Sequence, residues 1–250
     1  MKKASNEIEQ REQQFFDFIE AAAHDLHSPL RKLSVLIEKV FSQQENRFDE
    51  KSKDYVQRIK GCIDQMRSLI NGLTDLAMAS PGNTQFVPCD LNDVVRQALR
   101  GMDEEINNKN AAVIVGPLPI VQGNIVQYEQ LFKNLLENAD KFRKKGVPLQ
   151  IDIVEEMITD NDKNYFDPSP NKKYHKIEIR DNGIGFNQAY AEKIFEPFVR
   201  LHSKVDFEGN GLGLSICKKI VANHCGTIYA KGSENVGSSF ILFLPETPTS

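Results

Sequence analysis

The chain has 250 residues, enough for two ordinary domains, and its 40% hydrophobic and 26% charged residues suit a soluble protein with a packed core. A net charge of −4 supplies no basic face, so nucleic acid is not an expected partner. No run approaches the ~18 apolar residues needed to span a bilayer, and the basic start MKKASNEIEQREQQ has no apolar stretch after it. A cytoplasmic chain without membrane contact is expected, either complete or as the cytoplasmic end of a longer protein.

From Phe15 the apolar residues Ile19, Ala22, Leu26, Leu30, Leu33, Ile37 and Val40 recur at steps of three and four, which predicts a long helix with a heptad-like seam. Pro29 is expected to kink that helix without ending it. After the polar turn SQQENRFDEKS, the residues Val56, Ile59, Ile63, Met66, Ile70, Leu73 and Ala77 repeat the spacing on a second helix. Two helices cannot bury such seams alone. An antiparallel hairpin over 1–79 that pairs with a second copy in a four-helix bundle can, and charged residues at Ile63 and Ile70 should then give monomers.

SPGNTQFVPCD (80–90) reads as a linker, broken by Pro81, Gly82 and Pro88. Beyond it, over 91–247, the pattern mixes periods. Residues 91–106 read as a helix and 111–115 as a strand, followed by the connection GPLPIVQGN. Asn124 reads as the N-cap of a helix running to about Phe142. Alternation predicts strands around Ile151, Ile179, Ile228 and Phe240. The implied fold is an α/β sandwich with helices on one face of a mixed sheet. Residues 158–173, polar with two prolines, are expected to form a solvated insertion. The cysteines, Cys62, Cys89, Cys217 and Cys225, form no CxxC pair and suggest reduced thiols, with Cys217 in a core.

Chemistry is concentrated in three places. In LFKNLLENADKF, Leu131, Leu135, Ala139 and Phe142 form an apolar stripe, and Asn134, Asn138 and Lys141 lie on an adjoining face. An asparagine amide oxygen suits Mg²⁺, a hard cation that takes oxygen ligands, and a lysine offers a mobile charge to phosphates. Alone, this pattern is more often that of an ordinary polar rim on an amphipathic helix. DNGIGF (181–186) follows a strand, with Asp181 able to accept from an exocyclic amine and with Gly183 and Gly185 permitting close backbone approach. An Asn-Gly hairpin would explain the first glycine and not the second. GNGLGL (209–214) sets Gly209, Gly211 and Gly213 at the start of a helix, with Leu212 and Leu214 between and after them, an arrangement that offers amide N–H groups to an anion. It fits neither the dinucleotide fingerprint nor the P-loop. Between the two glycine motifs, Phe195 reads as core and Phe198 as part of a mobile flap.

In order and spacing, NLLENADKF, DNGIGF, EKIFEPFVRL, GNGLGLSI and GSSFILFLP resemble the N, G1, F and G2 boxes and terminal strand of sensor histidine kinases. HDLHSPLRKL (24–33) resembles their H box, and the similarity, spanning roughly 15–245, is greatest to the phytochrome-like branch. The resemblance implies a Bergerat ATP-binding fold behind a dimerising phosphoacceptor hairpin. It implies Asn138 as Mg²⁺ ligand, Asn134 in support, Lys141 at the phosphates, Asp181 at adenine with Ser238 beside it, and Phe142 and the glycine loops around ATP. It also implies a partner, the receiver domain of a response regulator. Cys225 stands where HGG is common in the family, and Ser28 replaces a more usual threonine, asparagine or glutamate.

Of five histidines, His175, His202 and His224 read as structural or exposed. His24 is the expected nucleophile because Asp25 adjoins it, so that a carboxylate can hold one ring nitrogen and leave the other to attack. His27, followed by Ser28, lacks that partner. In the family the phosphoacceptor stands five residues before the proline, where His24 stands before Pro29. Two other readings remain: an ATPase of the same fold, which would need a glutamate base where Asn134 stands, and a degenerate kinase acting as a dimeric scaffold.

Overall fold

The computed structural model describes residues 2–44, 48–79, 86–100, 102, 111–168, 172–201, 207 and 209–248, the side chains of 2–18, 20, 43 and 44 excepted. The chain divides into two compact units, 1–80 and 81–250. The first part of the expected linker (80–85), the helical residues expected over 103–106 and His202 lie outside the described residues.

The first unit is a pair of helices, α1 (Lys2–Gln44) and α2 (Glu50–Met78). α1 continues through Pro29, as the unbroken apolar period requires. Asp49 caps α2, its carboxylate accepting from Ser52 N–H at 2.8 Å. The seam divides between two directions. Ala23, Leu30 and Ile37 pack with Ile63 and Ile70 inside the hairpin. Leu26, Leu33 and Val40, three residues further along α1, stay about half exposed, as do Ile59 and Met66 on α2. Charges at Ile63 or Ile70 would therefore break the hairpin itself. The exposed half of the seam is the part of the pattern that the hairpin leaves uncovered.

The second unit is built on a five-stranded mixed sheet in the order β2-β4-β5-β7-β6, with β2 (Ala112–Val115) parallel to β4 (Gln150–Glu156) and all other neighbours antiparallel. The remaining strands are β5 (Tyr174–Asp181), β6 (Thr227–Ser233) and β7 (Gly237–Pro245). Strand alternation puts Ile151, Ile153, Ile177, Ile179, Phe240 and Leu242 on one face, and all are buried. Helices α3 (Leu91–Arg100), α4 (Ile125–Lys141) and α5 (Gly213–Asn223) pack side by side, α3 on α4 and α4 on α5. Each fully buried leucine or isoleucine contributes roughly 1.5–3 kcal/mol of transfer free energy. This is the helix-on-sheet architecture expected from the mixed periods.

Two expectations are overturned. Val87–Asp90, within the segment read as linker, forms a strand, β1, paired antiparallel with β3 (Ile120–Gly123) in the stretch read as a connection. A two-stranded ribbon has outer edges on both sides, which tolerate Pro88. The segment 158–173 is not a solvated insertion. A short 3₁₀ helix, Asp160–Asn164, buries Asp162, and Phe166 stacks on Phe243 at 4.4 Å while Tyr165 stacks on Tyr229 at 4.3 Å. The insertion thus covers the sheet face opposite the helices. Burial opposes ionisation of Asp162, but hydrogen bonds from the Thr159 N–H and hydroxyl and from Lys176 outweigh it and hold the carboxyl at about 2.

The chain leaves α5 through Cys225, whose backbone is left-handed (φ 55°) in the place where a helix favours glycine. Cys225→Gly removes that Cβ strain at some cost in unfolded-chain entropy. A net gain of roughly 0.5–1 kcal/mol is expected in denaturant midpoints, and a loss would contradict it.

Candidate nucleotide-binding site

α4 begins at Asn124, whose side-chain oxygen accepts from Gln127 N–H at 3.0 Å, and it buries Tyr128, Leu131, Phe132, Leu135, Leu136 and Ala139. Those residues fix the rotation of the helix, and the rotation turns Asn134, Asn138 and Lys141 toward the glycine-rich segment. Asn134 is buried, and its amide donates to the Gly213 carbonyl at 3.3 Å, which ties α4 to the first residue of α5. Asn138 is half-buried one turn further on. A methyl group at Gly213 would lie 4.0 Å from the Asn138 Nδ2 and 3.9 Å from the Asn134 Cγ, ordinary contacts, so packing does not itself demand a glycine there.

Lys141 reaches the other glycines. A Cβ on Gly209 (φ 137°) would fall 2.4 Å from the Lys141 Nζ, which itself lies 4.6 Å from the centre of the Phe142 ring. Burial, with the nearby charge of Arg200, lowers the Lys141 pKa. Two cations therefore share this end of the site. Arg200 belongs to no motif recognised in the sequence, where EPFVRL stands out by its aromatic residue, and its guanidinium donates to the Phe207 carbonyl at 2.5 Å. Phe142, expected in the buried stripe, is only half-buried, its ring 5.0 Å from that of Phe207. Leu212 is fully buried and Leu214 half-buried.

Asp181 ends β5 directly across from Ser238 on β7. Its carboxylate accepts from Gly183 N–H at 2.8 Å and from the Ser238 backbone and side chain, yet burial wins and raises it to about 6. The loop after it is caged. A Cβ on Gly183 would meet the Phe142 carbonyl oxygen at 2.6 Å, and one on Gly185 (φ 66°) the Ser233 carbonyl oxygen at 1.9 Å. Asn182 turns away, bonding Pro148 and Gln150, so DNGIGF is not a hairpin turn. Phe195 is core, edge-on to Phe240, as expected. Phe198 is exposed with φ 65°, and its N–H donates to the Gly211 carbonyl at 2.9 Å.

With its carboxyl at about 6, Asp181 is a hydrogen-bond acceptor at neutral pH and protonated at pH 5. A raised folded value also means that the ligand-free fold loses stability as pH rises through 6, so the ionised group sits there at a cost that a donor from a bound base would offset. ATP affinity is expected to fall between pH 7 and pH 5 more steeply than in Asp181→Asn, measured by calorimetry. Parallel profiles would detach Asp181 from the base.

In the first unit, His24 and Asp25 are almost fully exposed on α1, with His24 Nδ1 3.5 Å from Asp25 Oδ1. His27 is half-buried and Ser28 exposed. His175 lies within β5 with Nδ1 2.6 Å from Glu155, and His224 is completely buried, so both are structural.

Residues 123–248 match the family described as histidine kinase-, DNA gyrase B-, and HSP90-like ATPase, and residues 16–82 match the His Kinase A (phospho-acceptor) domain. The chain belongs to this ATPase family, among its histidine kinases. It is 30% identical over 228 residues to the phytochrome-like protein Cph1 of Synechocystis sp., a match covering 91% of this chain and 29% of that protein. The full-length structure of ShkA in complex with AMPPNP superposes with a TM-score of 0.65 at 21% identity, over 94% of this chain and 46% of that one. Histidine kinase ThkA, in complex with response regulator protein TrrA, gives 0.62 at 21% identity, over 99% and 68%. The chain spans 29–30% of the length of the first curated relatives it matches.

Proposed function

We propose that this chain is the catalytic portion of a protein-histidine kinase, which transfers the γ-phosphoryl group of ATP to His24 and passes it to an aspartate of a response-regulator receiver domain. The observation that carries the reading is the coexistence, in one chain, of an exposed histidine beside its own carboxylate and a glycine-rich helix start facing Asn138 and Lys141. The complex of ThkA with a response regulator supports the choice of partner.

Asp181 and Ser238 would hold the adenine amine, and the amides at Gly213 with Lys141 and Arg200 would hold the phosphates. Among the described residues no group of three or more His, Cys, Asp or Glu side chains is placed to hold a metal ion. A single neutral amide oxygen at Asn138 fits Mg²⁺ that arrives with the triphosphate and keeps its waters. The metal supplies charge neutralisation on the phosphate oxygens. His24 then attacks through Nε2 while Asp25 holds the Nδ1 proton. The new bond is N–P, the bond broken joins the γ-phosphorus to the bridging oxygen, and the electron pair leaves with ADP.

Labelling with γ-³²P ATP followed by acid or alkali tests this: label lost in acid and kept in alkali supports phosphohistidine, and the reverse pattern refutes it. The exposed half of the seam, Leu26, Leu33, Ile59 and Met66, is what a second copy would cover in a homodimer. Leu33→Glu combined with Ile59→Glu is expected to halve the mass seen by light scattering. An unchanged mass would place the dimer contact elsewhere.

A further inference from the structure

His224 makes two hydrogen bonds that only one neutral tautomer can make. Its Nδ1, 2.8 Å from the Ile220 carbonyl, must carry a proton to donate, and its Nε2, 3.0 Å from the Asn124 N–H, must be bare to accept. The ring is completely buried between Tyr128 at 4.2 Å and Phe86 at 5.0 Å. It is packed tightly enough that a Cβ on Gly123 would come within 2.8 Å of it. Burial favours the neutral form and lowers its pKa.

The two partners make this more than a filled core. Asn124 is the N-cap of α4, and Ile220 lies in the last turn of α5. At the opposite ends of the same antiparallel pair, Asn134 bonds the Gly213 carbonyl. α4 and α5 are therefore hydrogen-bonded toward both ends of their contact, at points about 15 Å apart along α4 at 1.5 Å per residue, with the buried Cys217 thiol donating to the Leu131 carbonyl at 3.7 Å between them. Asn138 and Lys141 project just beyond the Asn134 bond. With the His224 bonds removed, the first turn of α4 loses its hydrogen bond to the end of α5 and is held there by packing alone, and small rotations of α4 about the bonds further along displace both side chains. Phe86, the ring on which His224 rests, is the residue immediately after segment 80–85, where the described chain of this unit begins.

We infer that His224 is a positioning residue for nucleotide binding, holding α4 in register with α5 from the end away from the phosphates, with Phe86 as its seat. The inference rests on reading Asn138, Lys141 and Gly213 as the nucleotide site. His224→Phe keeps the ring stack and removes both hydrogen bonds. In the full chain, well below the variant's melting temperature, its Kd for Mg-ATP by calorimetry should rise about tenfold, since small misplacements of positioning groups have large effects. Phe86→Ala, which leaves both bonds in place, should raise it two- to threefold, on the order expected of a partial loosening. A lowered melting temperature with unchanged Kd in both variants would make His224 a core residue only and overturn the inference.

Amide hydrogen exchange of the ligand-free protein gives a second readout. In either variant, exchange should speed up both at 124–128 and at 212–216, around the bond from Asn134 to Gly213. Acceleration confined to 124–128 would overturn the inference without involving ATP. Wild-type protein that fails to bind Mg-ATP would refute the nucleotide reading instead, and the exchange result would still decide whether the two ends of the contact are coupled.

Discussion

The His24→Gln protein is expected to take up no label from γ-³²P ATP while binding Mg-ATP as the parent does. Glutamine has no ring nitrogen to attack phosphorus, so labelling should fall by more than about 100-fold, the loss that follows removal of a nucleophile. Nucleotide affinity should persist because His24 belongs to a different compact unit from Asn138 and Asp181 and is almost fully exposed, so its truncation disturbs no packing. Hydrolysis should not rise to compensate. The position from which a related ATPase would supply a glutamate base holds Asn134, an amide that cannot take a proton and that is already committed to the Gly213 carbonyl. Asp25→Asn should slow labelling roughly tenfold, because Asp25 lies 3.5 Å from Nδ1 in open solvent, where it orients more than it activates. Persistent label on His27, or brisk hydrolysis by His24→Gln, would overturn the assignment of the acceptor.

The features legible in the sequence are those whose physics is local. The period of three and four carried α1, α2 and α4. Asn124 announced its helix because an N-cap acts over three residues, and the strands alternated because one sheet face is buried. β1 was not legible: Pro88 argues against a strand unless its partner, β3, is known to form a ribbon with it. The insertion was misread for a related reason. Its polarity is real, but Asp162 is paired with Lys176 and Tyr229, and Phe166 rests on Phe243, partners supplied by distant strands. The same limit applied to the hairpin, where spacing found the seam but could not tell which half faces α2 and which stays exposed.

Site residues divided in the same way. Asp181 and the glycines of DNGIGF stand together because a caged loop is encoded within a few residues, whereas Ser238, on another strand, meets Asp181 only through the β5–β7 register. Arg200 was visible only as one letter of an aromatic-looking stretch, and its effect on Lys141 is a through-space one. His224, read as structural or exposed, is buried, and its bond to Asn124, 100 residues away, has no signal in the sequence.

Asn138→Ala should cost the protein its magnesium-dependent nucleotide affinity and almost none of its stability. The backbone carbonyl of Asn138 accepts from Phe142 N–H at 3.0 Å, and alanine keeps that bond. The side chain is half-buried at the rim of α4, and alanine is the better helix former by a few tenths of a kcal/mol, which offsets the packing lost with the amide. If the amide oxygen completes a Mg²⁺ shell, its removal should weaken Mg-ATP binding by about 100-fold. ATP binding in a chelator should change much less, since Asp181, Lys141 and the helix start remain. Asn134→Ala should behave oppositely, lowering the melting temperature because a buried amide bridge is lost and the Gly213 carbonyl is left without that donor. Calorimetry with and without Mg²⁺, beside thermal melts of both variants, separates the two asparagines. Equal loss of ATP affinity with and without the metal in Asn138→Ala would make the residue a phosphate contact, and unchanged affinity in both would remove it from the site.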